Sequence, residues 1–140
     1  MVTDTQMERT TARRLSQGFH DAFRALDARE DVFTDDAFFD LNMPVWRFQL
    51  QGRDAFAAQL RKLARGEVSV DVIRTVPTAS GFVTEHVERQ VHEGMELSAR
   101  RLWLCEVRDG RIADVVGYCS GEWDQALRDR HALEAPMIRP

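Results

Sequence analysis

The run Val68-Ser69-Val70-Asp71-Val72-Ile73 decides the fold, because the chain changes period there. Valines at 68, 70 and 72 alternate with Ser69, Asp71 and Ile73, the two-residue repeat of a half-buried strand, and Pro77 closes it. Upstream the spacing is helical. Between about residues 8 and 29, Ala12, Leu15, Phe19, Ala22, Phe23 and Leu26 recur on one face. A second helix is predicted over 54–65, with Phe56, Leu60 and Leu63 on one face and Gly66 as its stop. Between the helices, 29–36 reads as a turn or one short helix, 38–43 as a short strand ended by Pro44, and 45–51 as a loop. Downstream, 81–92, 97–108 and 111–118 read as three more strands, and 122–133 as a closing helix. Helices followed by a run of antiparallel strands is the α+β pattern. One curved sheet wrapped around the helices leaves a cavity between them.

A chain of 140 residues is one domain, large enough to bury a core without staples, with 1–7 and 134–140 as tails. Hydrophobic content of 44% and charged content of 30% fit an ordinary soluble globule. The net charge of −4 and the lack of any basic run argue against nucleic acid as a partner. No leader-like apolar stretch and no long apolar run occur, so neither a signal peptide nor a membrane span is expected. Cys105 and Cys119 lie on predicted strands without metal-like spacing and read as reduced packing residues of a cytoplasmic protein. No three His, Cys, Asp or Glu residues stand at a known ligand spacing, so no metal is expected.

Two polar alternations interrupt the apolar strands. Asp40 and Asn42 share one parity in Asp40-Leu41-Asn42-Met43-Pro44, and His86 and Glu88 share one in Val83-Thr84-Glu85-His86-Val87-Glu88. Polar pairs aimed inward from an apolar scaffold mark a small-molecule pocket. If the hairpin between the third-last and second-last strands turns at Glu93-Gly94, His86 stands opposite Arg101 and Glu88 opposite Ala99. A three-residue loop at Arg108-Asp109-Gly110 would set Arg101 opposite Gly117, Trp103 opposite Val115 and Ala99 opposite Cys119. His86, Arg101 and Gly117 would then form one row, with Gly117 leaving room for the guanidinium or for part of a ligand. The expected pocket wall is Phe19, Phe23, Trp46, Val70, Val72 and Trp103, with Phe56 a further candidate.

The strings Asn42-Met43-Pro44, Gly52-Arg53-Asp54-Ala55, Thr84-Glu85 with Val87, and Asp109-Gly110-Arg111-Ile112 leading to Tyr118 carry a resemblance. The chain resembles the nuclear transport factor 2-like superfamily over about residues 21–128. It is most similar there to limonene-type epoxide hydrolases, with SnoaL-type polyketide cyclases nearby. The resemblance implies the cone-shaped α+β fold. It also implies a site in which a Tyr, an Asn and an Asp hold a water, and an Arg bridges to a second Asp. Carried onto this chain, Asn42 keeps the Asn, Asp40 stands at the Tyr, His86 at the Arg and Glu88 at the second Asp. Gly117 stands at the water-activating Asp and supplies no base. Cys119 replaces an aromatic residue and widens the expected pocket.

These parts suit proton transfer next to a carbonyl. Asp40 and His86 would move protons, Asn42 and Arg101 would hold a developing oxyanion, and Glu88 would fix Arg101 or His86. The expected function is a cofactor-free cyclase or isomerase of the SnoaL type, acting on a hydrophobic small molecule. An epoxide-opening enzyme of the limonene hydrolase type is the alternative reading. A non-catalytic binder, or a pocket that shapes a chain for pericyclic closure, is a third. The bland readings are a capping role for Asp40, a structural ion pair for Glu88 and Arg101, and a satisfied core histidine at 86. Leu102, Leu104 and Val116 fall on the outer sheet face, which predicts a homodimer through that face.

Overall fold

The structure is a computed structural model and describes residues 7–139. The expected tail 1–7 lies outside the described residues except for Met7. Element order is α1 (Arg9–Ala25), β1 (Phe33–Met43), β2 (Trp46–Gln51), α2 (Arg53–Leu63), β3 (Glu67–Pro77), β4 (Gly81–His92), β5 (Met95–Arg108), β6 (Arg111–Cys119) and α3 (Gln125–Glu134). The six strands form one curved, unclosed sheet in the order β2-β1-β6-β5-β4-β3. All neighbours are antiparallel except β1 and β6, which run parallel. The α+β class read from the sequence is the class observed.

The apolar stripe of α1 packs into the concave face of the sheet, burying Ala12, Leu15, Phe19, Ala22 and Phe23. Gly18 lies on this helix because a β-carbon there would stand 2.5 Å from Val32 Cγ2. α1 ends where Leu26 turns left-handed, its N–H donating to Ala22 O. α2 closes the other side of the concavity through Phe56, Ala57 and Leu60. Phe19, Phe23, Phe33, Phe39, Phe56 and Trp103 stack edge-to-face and face-to-face as one aromatic core.

Two strand expectations need correction. The stretch 33–36 is the start of β1 rather than a turn, because Phe33 and Thr34 are buried and Phe33 pairs with Ile112. Residues 46–51 form β2 rather than a loop. Phe48 and Leu50 alternate with Arg47, Gln49 and Gln51, a period of two that was present in the sequence.

The hairpin at Glu93-Gly94 has the expected register, with His86 opposite Arg101 and Glu88 opposite Ala99. Both turn residues have positive φ, the geometry that makes two-residue hairpins twist correctly. The next hairpin differs. Asp109 and Gly110 also form a two-residue turn with Arg108 opposite Arg111, and an irregularity between Glu106 and Val107 then shifts the pairing. Trp103 therefore faces Gly117, Cys105 faces Val115, and Arg101 faces Cys119. The offset from expectation is two residues, so every side chain keeps its predicted face.

Candidate functional site

The inward residues of β4 are Phe82, Thr84, His86, Glu88 and Gln90, all buried. Across the sheet they continue as two rows. One holds Val72, His86, Arg101 and Cys119; the other holds Val70, Glu88 and Ala99. The strand register thus brings together three of the four proposed catalytic side chains. Arg101 Nη1 lies 2.9 Å from Glu88 Oε2, with both side chains nearly buried. The Arg101 guanidinium stands 5.7 Å from the Phe23 ring centre. Gln90 Nε2 approaches Glu88 Oε1 at 3.5 Å.

Glu88, Gln90 and Arg101 line a small cavity of about 40 Å³, rimmed by Leu26, Leu60, Leu63, Ala64, Val68 and Glu122. Burial pushes the Glu88 carboxyl above its ordinary range, and the Arg101 charge partly reverses the shift. A carboxylate with raised proton affinity, held beside a guanidinium at a cavity wall, can accept a proton while the guanidinium holds a nearby oxyanion.

His86 lies deeper and is fully buried. Its ring packs on Phe23 at 4.9 Å and on Trp103 at 5.9 Å. Its Nδ1 meets Nδ1 of His20 at 2.9 Å, and His20 Nε2 meets Thr84 Oγ1 at 2.8 Å. Thr84 Oγ1 also donates to Arg74 O at 3.1 Å. When the single hydroxyl proton is spent on Arg74 O, Thr84 can only accept from His20 Nε2–H. His20 Nδ1 is then the acceptor and His86 Nδ1–H the donor. His86 Nε2 is left as a bare lone pair, and it has no hydrogen-bond partner among the described residues. Burial holds both rings neutral: His20 falls to about 4, and His86 to about 2, where a proton on His20 would oppose a second one on His86 and the Arg101 and Arg24 charges oppose it further.

The remaining expected residues divide. Phe19, Phe23, Val70 and Trp103 are buried in the concavity. They fill it against one another rather than walling an open pocket. Val72 shares the His86 row but is largely exposed at the sheet edge. Gly117 makes room for neither guanidinium nor ligand, because the Trp103 indole occupies its place; a β-carbon there would stand 2.2 Å from Trp103 Cζ3. Cys119 is half-buried beside Arg101 in register, and its sulfur accepts from Gly121 N–H.

Asp40 and Asn42 do not join the site. Buried Phe39 and Leu41 set the inward parity of β1, which turns Asp40 and Asn42 to the convex face. Asp40 there accepts two hydrogen bonds from Arg47, at 2.8 and 2.6 Å, which hold its carboxyl below its usual range. Asn42 Nδ2 donates to Gly117 O at 3.2 Å, a bond that tethers β1 to β6. Trp46, 71% exposed on β2, is no pocket wall. His20, Ser16, Thr75, Thr84 and Gln90 belong to the buried polar system and were not among the expected site residues. Thr84 and Gln90 have the same parity as His86 and Glu88, and that signal could have found them. No group of three potential metal ligands occurs among the described residues. No helix among them is long and apolar enough to cross a membrane.

The sequence matches no family model and no curated protein. Solved structures do match. An LEH-like epoxide hydrolase from M. tuberculosis aligns over 91% of this chain and 98% of its own, at 24% identity and a TM-score of 0.66. A candidate polyketide cyclase from Xanthomonas campestris aligns over 79% and 90%, at 25% identity and a TM-score of 0.60. A nuclear transport factor 2-like protein of unknown function from Mesorhizobium loti aligns over 82% and 96%, at 19% identity and a TM-score of 0.62. The curved unclosed sheet, α1 and α2 on its concave face and these alignments agree: the chain has the nuclear transport factor 2-like fold, shared with SnoaL-like and ketosteroid isomerase-like proteins.

Proposed function

We propose that this protein is an acid–base enzyme of small-molecule metabolism, a cyclase or isomerase of the SnoaL type. Glu88 is the proton-moving carboxylate at the cavity, Arg101 the donor to a developing enolate oxygen, and His86 a second, deeper proton acceptor. The observation that carries this reading is the nearly buried Glu88–Arg101 pair on the cavity wall. The carboxylate stands in for a free base, and the guanidinium is already aimed at its neighbourhood. Electrostatic donors of this kind commonly lower a barrier by roughly 3–4 kcal/mol. A cavity of about 40 Å³ takes a substrate only after Leu26, Leu60 and Leu63 part, so binding and opening are coupled.

The test is proton exchange. Cyclic ketones and 1,3-dicarbonyl compounds are incubated in D₂O with the protein, and deuterium gain at the carbon beside the carbonyl is followed by NMR. Glu88→Gln is expected to lower exchange by at least about a hundredfold. Equal exchange by wild type and Glu88→Gln would leave no role for the carboxylate. The epoxide-opening reading is favoured by the epoxide hydrolase alignment alone. Formation of ¹⁸O-labelled diol from an epoxide panel in labelled water would replace the first reading with that one. Binding of such compounds without any turnover would favour a carrier.

The convex face supports a second copy of the chain as partner. Leu102, Leu104 and Tyr118 are exposed there on adjacent strands β5 and β6. Sedimentation at micromolar concentration is expected to give twice the chain mass, and Leu104→Glu to halve it. A monomeric wild type would exclude this partner.

A further inference from the structure

Behind His86 the polar system continues to the other side of the molecule. Thr84 Oγ1 lies 2.9 Å from Thr75 Oγ1 and 3.2 Å from Ser16 Oγ, and Ser16 and Thr75 are 2.8 Å apart. Ser16 and Thr75 open onto a cleft of about 210 Å³ between α1 and the edge strand β3, lined also by Arg13, Gln17, His20, Arg24 and Val72. The irregularity between Val72 and Arg74 sets Thr75 opposite Thr84 and so aligns the hydroxyls. Arg24 is already engaged, donating to Asp21 Oδ1 at 2.9 Å and Val70 O at 2.8 Å, which holds the wall of the cleft in place.

We propose that His20, Thr84, Thr75 and Ser16 form a proton conduit that connects His86 Nε2, inside the cone, with solvent in the α1–β3 cleft. With His86 protonated at Nδ1 and His20 at Nε2, it runs outward from His86. A proton arriving at His86 Nε2 is matched by departure of the Nδ1 proton to His20 Nδ1. The His20 Nε2 proton passes to Thr84 Oγ1, the Thr84 proton swings from Arg74 O to Thr75 Oγ1 2.9 Å away, and the Thr75 proton leaves to water in the cleft. One proton enters and one leaves, and both imidazoles end neutral with their tautomers reversed. Burial that forbids a lasting imidazolium therefore does not forbid proton traffic. His20 acts here as a positioning and relay residue; it touches no substrate.

The inference deepens the function proposed above in giving His86 a way to discharge, yet its test needs no substrate. In protein labelled with ¹⁵N-histidine, long-range ¹H–¹⁵N spectra report each ring's tautomer, and magnetisation transfer from water reports exchange of each N–H. The expected resting state is His86 Nδ1–H with His20 Nε2–H. Thr75→Val with Ser16→Ala is expected to slow exchange of both protons about tenfold or more, while Asp40→Asn, on the convex face, leaves them unchanged. Thr75→Ser should restore the wild-type rate. Thr75→Val alone, a half-buried near-isosteric change, serves if the double variant does not fold. Finding His86 as Nε2–H would overturn the direction, and unchanged exchange in the hydroxyl variants would overturn the conduit. Failure of ketone exchange with intact imidazole kinetics would remove the proposed function and leave the conduit standing.

Discussion

Two neutral histidines locked in a core make this protein sensitive to mild acid, and the size of the effect can be worked out. In the unfolded chain an imidazole titrates near 6.5; folded, His20 titrates at about 4 and His86 at about 2. Both folded values lie below the unfolded one, so the unfolded chain binds more protons and stability rises with pH. The contribution is fully present above 6.5 and is lost as pH falls through and below it. At pH 5 each ring costs roughly 2 kcal/mol relative to pH 8, about 4 kcal/mol together, a large part of a domain's stability. Glu88 runs the opposite way. Its raised folded value adds stability in acid and loses it as pH rises, which opposes the histidines and trims the total. Asp31, Asp36 and Asp40, held low by arginine partners and hydrogen bonds, titrate below this window. Urea unfolding at pH 8, 7, 6 and 5 measures the fall, and His20→Gln and His86→Gln should each abolish about half of it. A wild-type loss under about 1 kcal/mol would refute the reasoning, as would an undiminished loss in the double variant.

Gly117→Ala should destabilise by about 1–3 kcal/mol, because the new methyl overlaps the buried Trp103 ring; Trp103→Phe in the same chain should recover part of it in thermal melts. Arg101→Met strands the Glu88 carboxylate and should cost about 3–5 kcal/mol at pH 7, whereas Arg101→Met with Glu88→Leu should cost much less in urea titrations. Val45 is fully exposed and left-handed at φ 52°, so Val45→Gly removes strain without losing packing and should raise stability by about 1 kcal/mol.

The sequence carried the class of fold because periodicity carries it: the stripe on α1 and the alternations on β3 to β6 are visible without coordinates. The face of His86, Glu88 and Arg101 was legible for the same reason, and survived a two-residue error at the last hairpin because the error was even. The polar alternation of Asp40 and Asn42 points to the wrong face, because polar residues on a strand do not say which side is buried. Phe39 and Leu41, the apolar pair of opposite parity, decide which face is buried. The Trp103 indole over Gly117 could not be read, since it depends on the shift between Glu106 and Val107. The His20–His86 contact joins a helix to a strand 66 positions on, a pairing that no local pattern encodes.

The parallel seam between β1 and β6 has a consequence for how the chain reaches this shape. Strands β3 to β6 are joined by successive hairpins and can zip locally, but β1 and β2 attach to them only through β6, the last strand made. During synthesis the β1–β2 hairpin must therefore wait for its sheet partner until residue 118 has left the ribosome, whereas α1 can already pack on β3 and β4. That pairing closes the longest loop between neighbouring strands of the sheet, the kind of contact that slows folding. A chain cut short before β6 keeps a meander and an orphaned hairpin, which makes it a substrate for chaperones rather than a smaller version of the protein.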